Sequence, residues 1–527
     1  MKQIYKIMSF MVLALIASTN VFAYDVAVEN ANGVKIYYNY ISDGKELEVT
    51  FYDENNNYDA YKGNVNIPTE VTYMNRTRRV TSIGNRAFCL CGELKSVTIP
   101  NSVTTIEELA FWECYNLTSI SIGSGVTKIG SDAFEGCDDL EKVIVKDIAA
   151  WCGIEFEFSF SCSSNPLFKA AHIFSDENTE ITNLVIPNSV TTIGELAFFG
   201  CSGLTSVSIG NSVTTIGELS FSGCSGMTSL SISNSVTTIG SYAFEECSGL
   251  TFVNIPNSVT TIGEAAFIGC IGMTSVSIGN GVKSIGERAF ACEYLEKVIV
   301  KDIAAYCGIR FEDSYSNPLY FAAHIYSDEN TEIKNLVIPN SVTTIGEKTF
   351  SGCSGLTSVT IPNSVTTIGD EAFANCSSLA SMTIPNSVTA IGSYAFSECS
   401  GLTSVTIPNS VTTIGDKAFS GCNNLAEIVS LIEKPFSISS SVFSNNTLNN
   451  ATLYVPIGTL DVYNSTNGWK SFVWIEEKSQ TGISAAKTGD SKPTVRYNLD
   501  GQRITESKKG INIIQMSDGA TKKVLVK

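Results

Sequence analysis

The side chains able to do chemistry are few, and most stand in copied surroundings. Two histidines occur among 527 residues, His172 and His324, and they hold the same place in "AAHIFSDENTEI" and "AAHIYSDENTEI". A general base must reach the proton that it takes, and a nucleophile needs such a base beside it. No G-x-S-x-G elbow, H-E-x-x-H pair or C-x-x-C motif occurs in the chain. Cys89-x-Cys91 supplies too few ligands for zinc. The acidic runs at Asp53 to Asp59, Asp176 to Glu180 and Asp328 to Glu332 could offer oxygens to calcium, but none fits the D-x-D-x-D-G loop, so they read as solvated turns. A histidine copied together with its whole neighbourhood reads as a structural residue. We therefore expect no catalytic residue, no cofactor and no metal.

The sixteen cysteines follow a different logic. Cys91, Cys114 and Cys137 lie 23 residues apart, as do Cys201, Cys224, Cys247 and Cys270, and then Cys353, Cys376, Cys399 and Cys422. Stacked repeats would set them about 5 Å apart, close enough for disulfides. Cysteine is also among the most buried small apolar residues, and here it closes a run that opens with phenylalanine. A column of reduced, inward thiols is the expectation. Cys89, Cys152, Cys162, Cys292 and Cys307 fall off this phase and are the better disulfide candidates.

The unit that positions these residues is LxxVxIPxxVxxIGxxAFxxC. In one copy its apolar members are Leu204, Val207, Ile209, Val213, Ile216, Phe221 and Cys224. Val207 and Ile209 alternate around Ser208, which predicts a strand with one face inward. Pro followed by Asn-Ser, as at Pro187 and Pro256, turns the chain, since Pro fixes φ and gives up its donor. Val213 to Ile216 predicts a second short strand, and "ELSFSGC" a short helix that drops Phe221 into the core. One unit cannot bury its apolar side alone, so copies must stack. The fold class is a β-rich solenoid with repeats from residue 80 to 450, lengthened by two inserts at about 145–185 and 300–337. About a dozen units at ~5 Å each give a length on the order of 60 Å.

The flanks differ from the repeats. Lys2 and Lys6, the apolar run "IMSFMVLALIA" and Val21-Phe22-Ala23 predict a signal peptide over residues 1–23. Residues 24–79 alternate with turn signals and predict an N-terminal β cap; residues 451–477 depart from the unit and predict the opposite cap. A polar linker (478–492) leads to residues 493–527, where Asp500-Gly501 and Asp518-Gly519 signal two hairpins of a small β module. With 43% apolar residues the chain has a core to build, and a net charge of −18 argues against nucleic acid and anionic lipid as partners. No later stretch approaches a membrane span. We expect a monomer, exported to the outside or surface of a bacterium.

"LTSVTIPNSVTTIGDEAFANCSSL" resembles the repeat of the BspA-like (Treponema-type) leucine-rich repeat proteins. The resemblance covers roughly residues 80 to 430. It implies a curved, right-handed solenoid with strands lining one face, often acting as an adhesin. The unit lacks the Asn of the commoner leucine-rich pattern, so that fold's Asn ladder is not implied. The final 35 residues resemble the C-terminal tails that serve exported Bacteroidetes proteins in sorting or attachment.

On the strand-lined face the outward positions read mostly Ser and Thr, a non-sticky hydroxyl ladder. It breaks at Phe252 and at the inserts, where Lys142, Lys297, Trp151, Phe156, Phe158, Tyr306 and Phe311 concentrate charge and aromatic area. Aromatic residues inside a polar rim are the usual interface anchors, so these eight residues are the partner-binding candidates. The competing expectation is that the insert aromatics pack the inserts' own core. The function expected is adhesin-like contact with an extracellular protein or glycan; the alternative is a structural spacer.

Overall fold

The computed structural model describes residues 24–52, 60–158 and 163–479, together with four strands of the tail. Each 23-residue unit makes one turn of a three-sided β-solenoid, and about 17 turns stack. The Ser206–Ser208 strand pairs in parallel with Asn183–Val185 before it and Ser229–Ser231 after it. Thr215–Ile216 pairs likewise with Thr192–Ile193 and Thr238–Ile239, forming a back sheet. On the third side Leu219, Phe221 and Gly223 donate their amides to the carbonyls of Ser241, Ala243 and Glu245 in the next turn. Every side of the prism is thus a hydrogen-bonded ladder, and the seven apolar residues of the unit point into it and are buried.

The expected short helix does not form on that third side. Leu219 (φ 54°) and Gly223 (φ 75°) adopt left-handed backbone, which breaks the run into successive tight turns. The same left-handed residue recurs in the other repeats, for example at Leu196, Tyr242 and Tyr394. An α-helix would keep its amides for itself; turns leave them free to bond the neighbouring copy.

Identical repeats put identical side chains on top of one another. Phe198, Phe221, Phe244, Phe267 and Phe290 stack with centroids 5.1–5.4 Å apart and ring planes within 9° of parallel. A second such column runs from Phe350 to Phe443. In the turns of the first column Thr214, Thr237 and Thr260 each donate a hydroxyl to the carbonyl of the matching threonine one turn earlier.

The inserts are complete but longer turns, which is why there are more turns than regular repeats. In the first, Asp147 caps the Ile148–Trp151 helix by accepting from the amides of Ala149 and Ala150. Glu155–Phe156 then joins the back ladder and Ile173–Phe174 the front one. The second repeats this plan with Ile303–Cys307, Arg310–Phe311 and Ile325–Tyr326. At the N-terminal end an antiparallel meander, Val26–Glu29, Lys35–Ile41 and Glu46–Thr50, covers the first turn. At the other end Thr452–Pro456 and Trp474–Lys478 continue the front sheet in parallel. The tail strands form their own antiparallel sheet, in which Pro493–Tyr497 pairs with Arg503–Ile504 and Gly510–Met516 with Thr521–Val526. The Asp-Gly turns expected between them, and residues 1–23, lie outside the described residues.

The front sheet is not continuous. Front and back sheets both restart after each insert, at Asn183–Val185 and Thr192–Ile193 and again at Asn335–Val337 and Thr344–Ile345. The front sheet is also split between Ser229–Ser231 and Phe252–Asn254 and between Ser381–Thr383 and Ser404–Ile407, where the back sheet runs on unbroken. The inward residue just before each of these last two splits, Leu230 or Met382, is only partly buried, whereas Leu184 and Leu336 at the same position of paired strands are buried.

Candidate binding surfaces

The two histidines stand in one arrangement twice. His172 Nδ1 lies 2.6 Å from Glu180 Oε1, and His324 Nδ1 lies 2.6 Å from Glu332 Oε1. Both pairs tie the base of an insert hairpin, whose strands bridge at Phe174 with Glu180 and Tyr326 with Glu332. The two insert acidic runs cap their hairpin turns, Asp176 accepting from the Asn178 amide and Asp328 from those of Asn330 and Thr331, while Asp53 to Asp59 lies outside the described residues. Those backbone bonds hold both carboxyls below their usual range. Among the described residues no group of three or more His, Cys, Asp or Glu side chains is placed to hold a metal ion.

The phased cysteines face the core, and their thiols act as donors. Cys224 Sγ donates to the Phe198 carbonyl at 3.2 Å, and Cys247, Cys270, Cys376, Cys399 and Cys422 repeat the bond one turn after another. Each bond spans from a cysteine to the phenylalanine of the turn before. Four of the expected disulfide candidates, Cys89, Cys152, Cys292 and Cys307, are buried thiols without a bridge. Cys292 belongs to the column after all: a one-residue deletion moved it off phase, and its Sγ still donates to Phe267. Cys162 lies outside the described residues.

The partner-binding candidates divide by exposure. Trp151, Phe156, Tyr306 and Phe311 are buried, so they cannot anchor a partner; they fill the enlarged insert turns, as the competing expectation had it. Trp151 packs edge-on against Phe156 at 5.5 Å, and Tyr306 lies tilted against Phe311 at 5.7 Å. Lys142 and Lys297 are engaged. Their ammonium groups donate to the carbonyls of Glu177 and Glu329 and lie 4.8 Å from the rings of Phe174 and Tyr326. They fasten the hairpin tips over the front sheet, and Ile144 and Ile299 are buried there. Phe158 (67% exposed) and Phe252 (40%) remain on the surface.

Other accessible apolar residues went unselected. Val185 (65% exposed) and Val337 (63%) sit on the first front strand after each insert. The sequence already marks them as breaks in the hydroxyl ladder. Ile271 and Tyr294 are exposed on the turn side, where the unit pattern carries no outward signal to read; Tyr315 and Tyr320, which the sequence does offer among the insert aromatics, are exposed too.

The repeat geometry now has a counterpart among known families. The model of the BspA type leucine rich repeat region matches residues 64–162, 171–304 and 324–450, well over half of the chain. The chain belongs to the BspA-type leucine-rich repeat family. A leucine-rich repeat protein from Bacteroides ovatus is similar in structure, with 29% identity and a TM-score of 0.52 over 77% of this chain and 94% of that one. A leucine rich cell surface protein from Faecalibacterium prausnitzii shares 26% identity over 87% of this chain and 96% of its own, with a TM-score of 0.34. Among curated proteins none matches significantly. In this BspA-type chain the three hydrogen-bonded sides are the framework, and what projects from them is what a partner can meet.

Proposed function

We propose that the chain is an exported, non-catalytic binding protein that meets an extracellular protein or glycan through its strand-lined face. The observation that carries this reading is Phe252. Its ring is exposed on a front strand whose paired neighbour presents Ser275, and the strand before it, across the split, presents Ser229. A face evolved only to stay soluble has no use for a phenyl ring at that place. Val185 and Val337 extend the apolar positions along the same face. Export rests on the basic, apolar and small-residue segments of the N-terminus.

Phe252→Ser restores the hydroxyl ladder and so should leave the fold intact. Beads coated with the full chain should adhere to immobilised extracellular-matrix proteins or bacterial polysaccharides, and Phe252→Ser with Val185→Ser should lower that adhesion at least fivefold. Equal adhesion of wild type and variant would overturn the reading and favour a passive spacer.

A further inference from the structure

The two inserts are copies, and they differ most usefully on the turn side. In the first, Lys169 reaches Asp138 at 3.3 Å and Glu135 at 3.8 Å, and Glu135 also accepts from Ser163. This ion-paired cluster occupies the surface where the insert meets the preceding turn. In the second insert "LFKA" becomes "LYFA", so Phe321 stands where Lys169 stood. The preceding turn is altered as well: "AFEGC" is replaced by "AFAC", one residue shorter. Ala291 and Glu293 take the places of Glu135 and Asp138 there.

Shortening one turn between two longer ones leaves a notch. Its volume is about 500 Å³, within the range of small-ligand sites. Ile268 and Ile271 form one wall, Tyr315 and Phe321 the other, and Arg288 and Glu293 complete the lining. Tyr315 lies 6.0 Å from Phe321 and 5.0 Å from Tyr320, so the aromatic wall is braced from within. The loop that carries Tyr315 is also held. Asp313 accepts from the Ser316 amide and hydroxyl, and from the Arg288 amide of the turn below.

We infer that this notch binds a sugar residue of a neutral glycan. A pyranose presents an apolar C–H face, which suits the flat wall of Tyr315 and Phe321. Its hydroxyls both donate and accept, which suits a guanidinium that only donates and a carboxylate that only accepts. Opposite charges in one lining favour an uncharged ligand, and the chain's net charge of −18 disfavours a polyanion. The site is on the turn side, away from the strand-lined face, and does not rest on the function proposed for that face.

The test is calorimetric titration of the full chain with neutral hexaoses built from glucose, mannose, galactose or N-acetylglucosamine. At least one should bind saturably. Phe321→Lys, which installs the residue the first insert already tolerates, should weaken that binding at least tenfold, as should Tyr315→Ala; Phe168→Ala in the first insert should leave it unchanged. Absence of saturable binding by every hexaose at millimolar concentration would overturn the inference. So would equal affinity in both notch variants with an unchanged circular dichroism spectrum, or selective capture of aromatic peptides in place of sugars.

Discussion

The indole nitrogen of Trp151 donates to the carbonyl oxygen of Ala197, 46 residues later and 2.7 Å away. Regular turns satisfy that carbonyl with a phenylalanine amide from the turn before, but the first insert has no such amide to give. Asn165 shares the task, donating to both Leu196 and Ala197 and accepting from the Leu167 amide. In the second insert Tyr306 cannot reach the carbonyl; its hydroxyl donates instead to Asn317, whose amide bonds Lys348 and Thr349. The asparagine is therefore the residue that both copies depend on. Asn165→Ala and Asn317→Ala should each cost about 3 kcal/mol or more, because each strands several buried groups. Trp151→Phe should cost less in hydrogen bonding, since Asn165 still serves Ala197. Urea denaturation followed by circular dichroism measures the order, and a larger loss for Trp151→Phe would contradict it.

Two glycines at one position of the repeat should respond differently to alanine. A Cβ at Gly226 would collide with the backbone carbonyl of Ser202, which the ladders hold in place. A Cβ at Gly203 would press on His172 Nδ1 and Glu180 Oε1, the ends of side chains that can move. Gly226→Ala should lower stability by more than about 2 kcal/mol. Gly203→Ala should cost about 1 kcal/mol and break the His172–Glu180 pair, visible as a shift of the His172 ring resonances. Similar losses with unchanged His172 resonances would refute the distinction.

Left-handed backbone precedes the column cysteines in most turns. Gly223 fills that place at φ 75°, whereas Glu246 fills it at φ 53°. A side chain there costs roughly 1–2 kcal/mol, and glycine's extra freedom in the unfolded chain returns about half of that. Glu246→Gly should raise the thermal midpoint modestly, and Gly223→Ala should lower it by a comparable amount. A destabilised Glu246→Gly would show that its side chain contributes more than the strain removes.

The thiol column predicts a pH dependence with a definite sign. Burial pushes Cys292 and Cys353 up to about 12, from an ordinary value of 9.0, and Cys224 well above it. Unfolded thiols lose their protons near pH 9 while folded ones keep theirs, so the unfolded state binds fewer protons. Stability is therefore full below pH 8 and falls as pH rises toward 12, by about 1.4 kcal/mol per pH unit for each such thiol. The urea midpoint should drop steeply between pH 8.5 and 10.5. Cys224→Ala with Cys247→Ala should flatten the slope; an unchanged slope would mean that other groups set it.

The stacking was legible because burial is periodic: Leu204, Val207, Ile209, Ile216, Phe221 and Cys224 each announce an inward position, and the copies agree. Helix against turn was not legible on the third side, because its left-handed residues are Leu219, Tyr242 or Lys348, types that give no local sign of φ above zero. The hydrogen bonds that stabilise them come from the next copy, beyond any local window. The insert aromatics misled for a related reason. Trp151 and Tyr306 have the composition of interface anchors, but a longer turn encloses more space, and large rings are what fill it. The notch was hidden in an absence: the missing residue before Cys292 looked like a cysteine out of step.

The interrupted front sheet divides into five panels; two of its four gaps fall at the insert hairpins, and the other two are closed along the back and the flank only. Between Ser231 and Phe252, and between Thr383 and Ser404, the panels share a back and a flank but no front bonds. A load that bends the rod away from its front would open those two gaps first, and the curvature of the whole would change in steps there while each panel kept its form. A ligand gripping two panels at once would hold such a gap at one width, so that contact on the outside sets the bend of the rod itself.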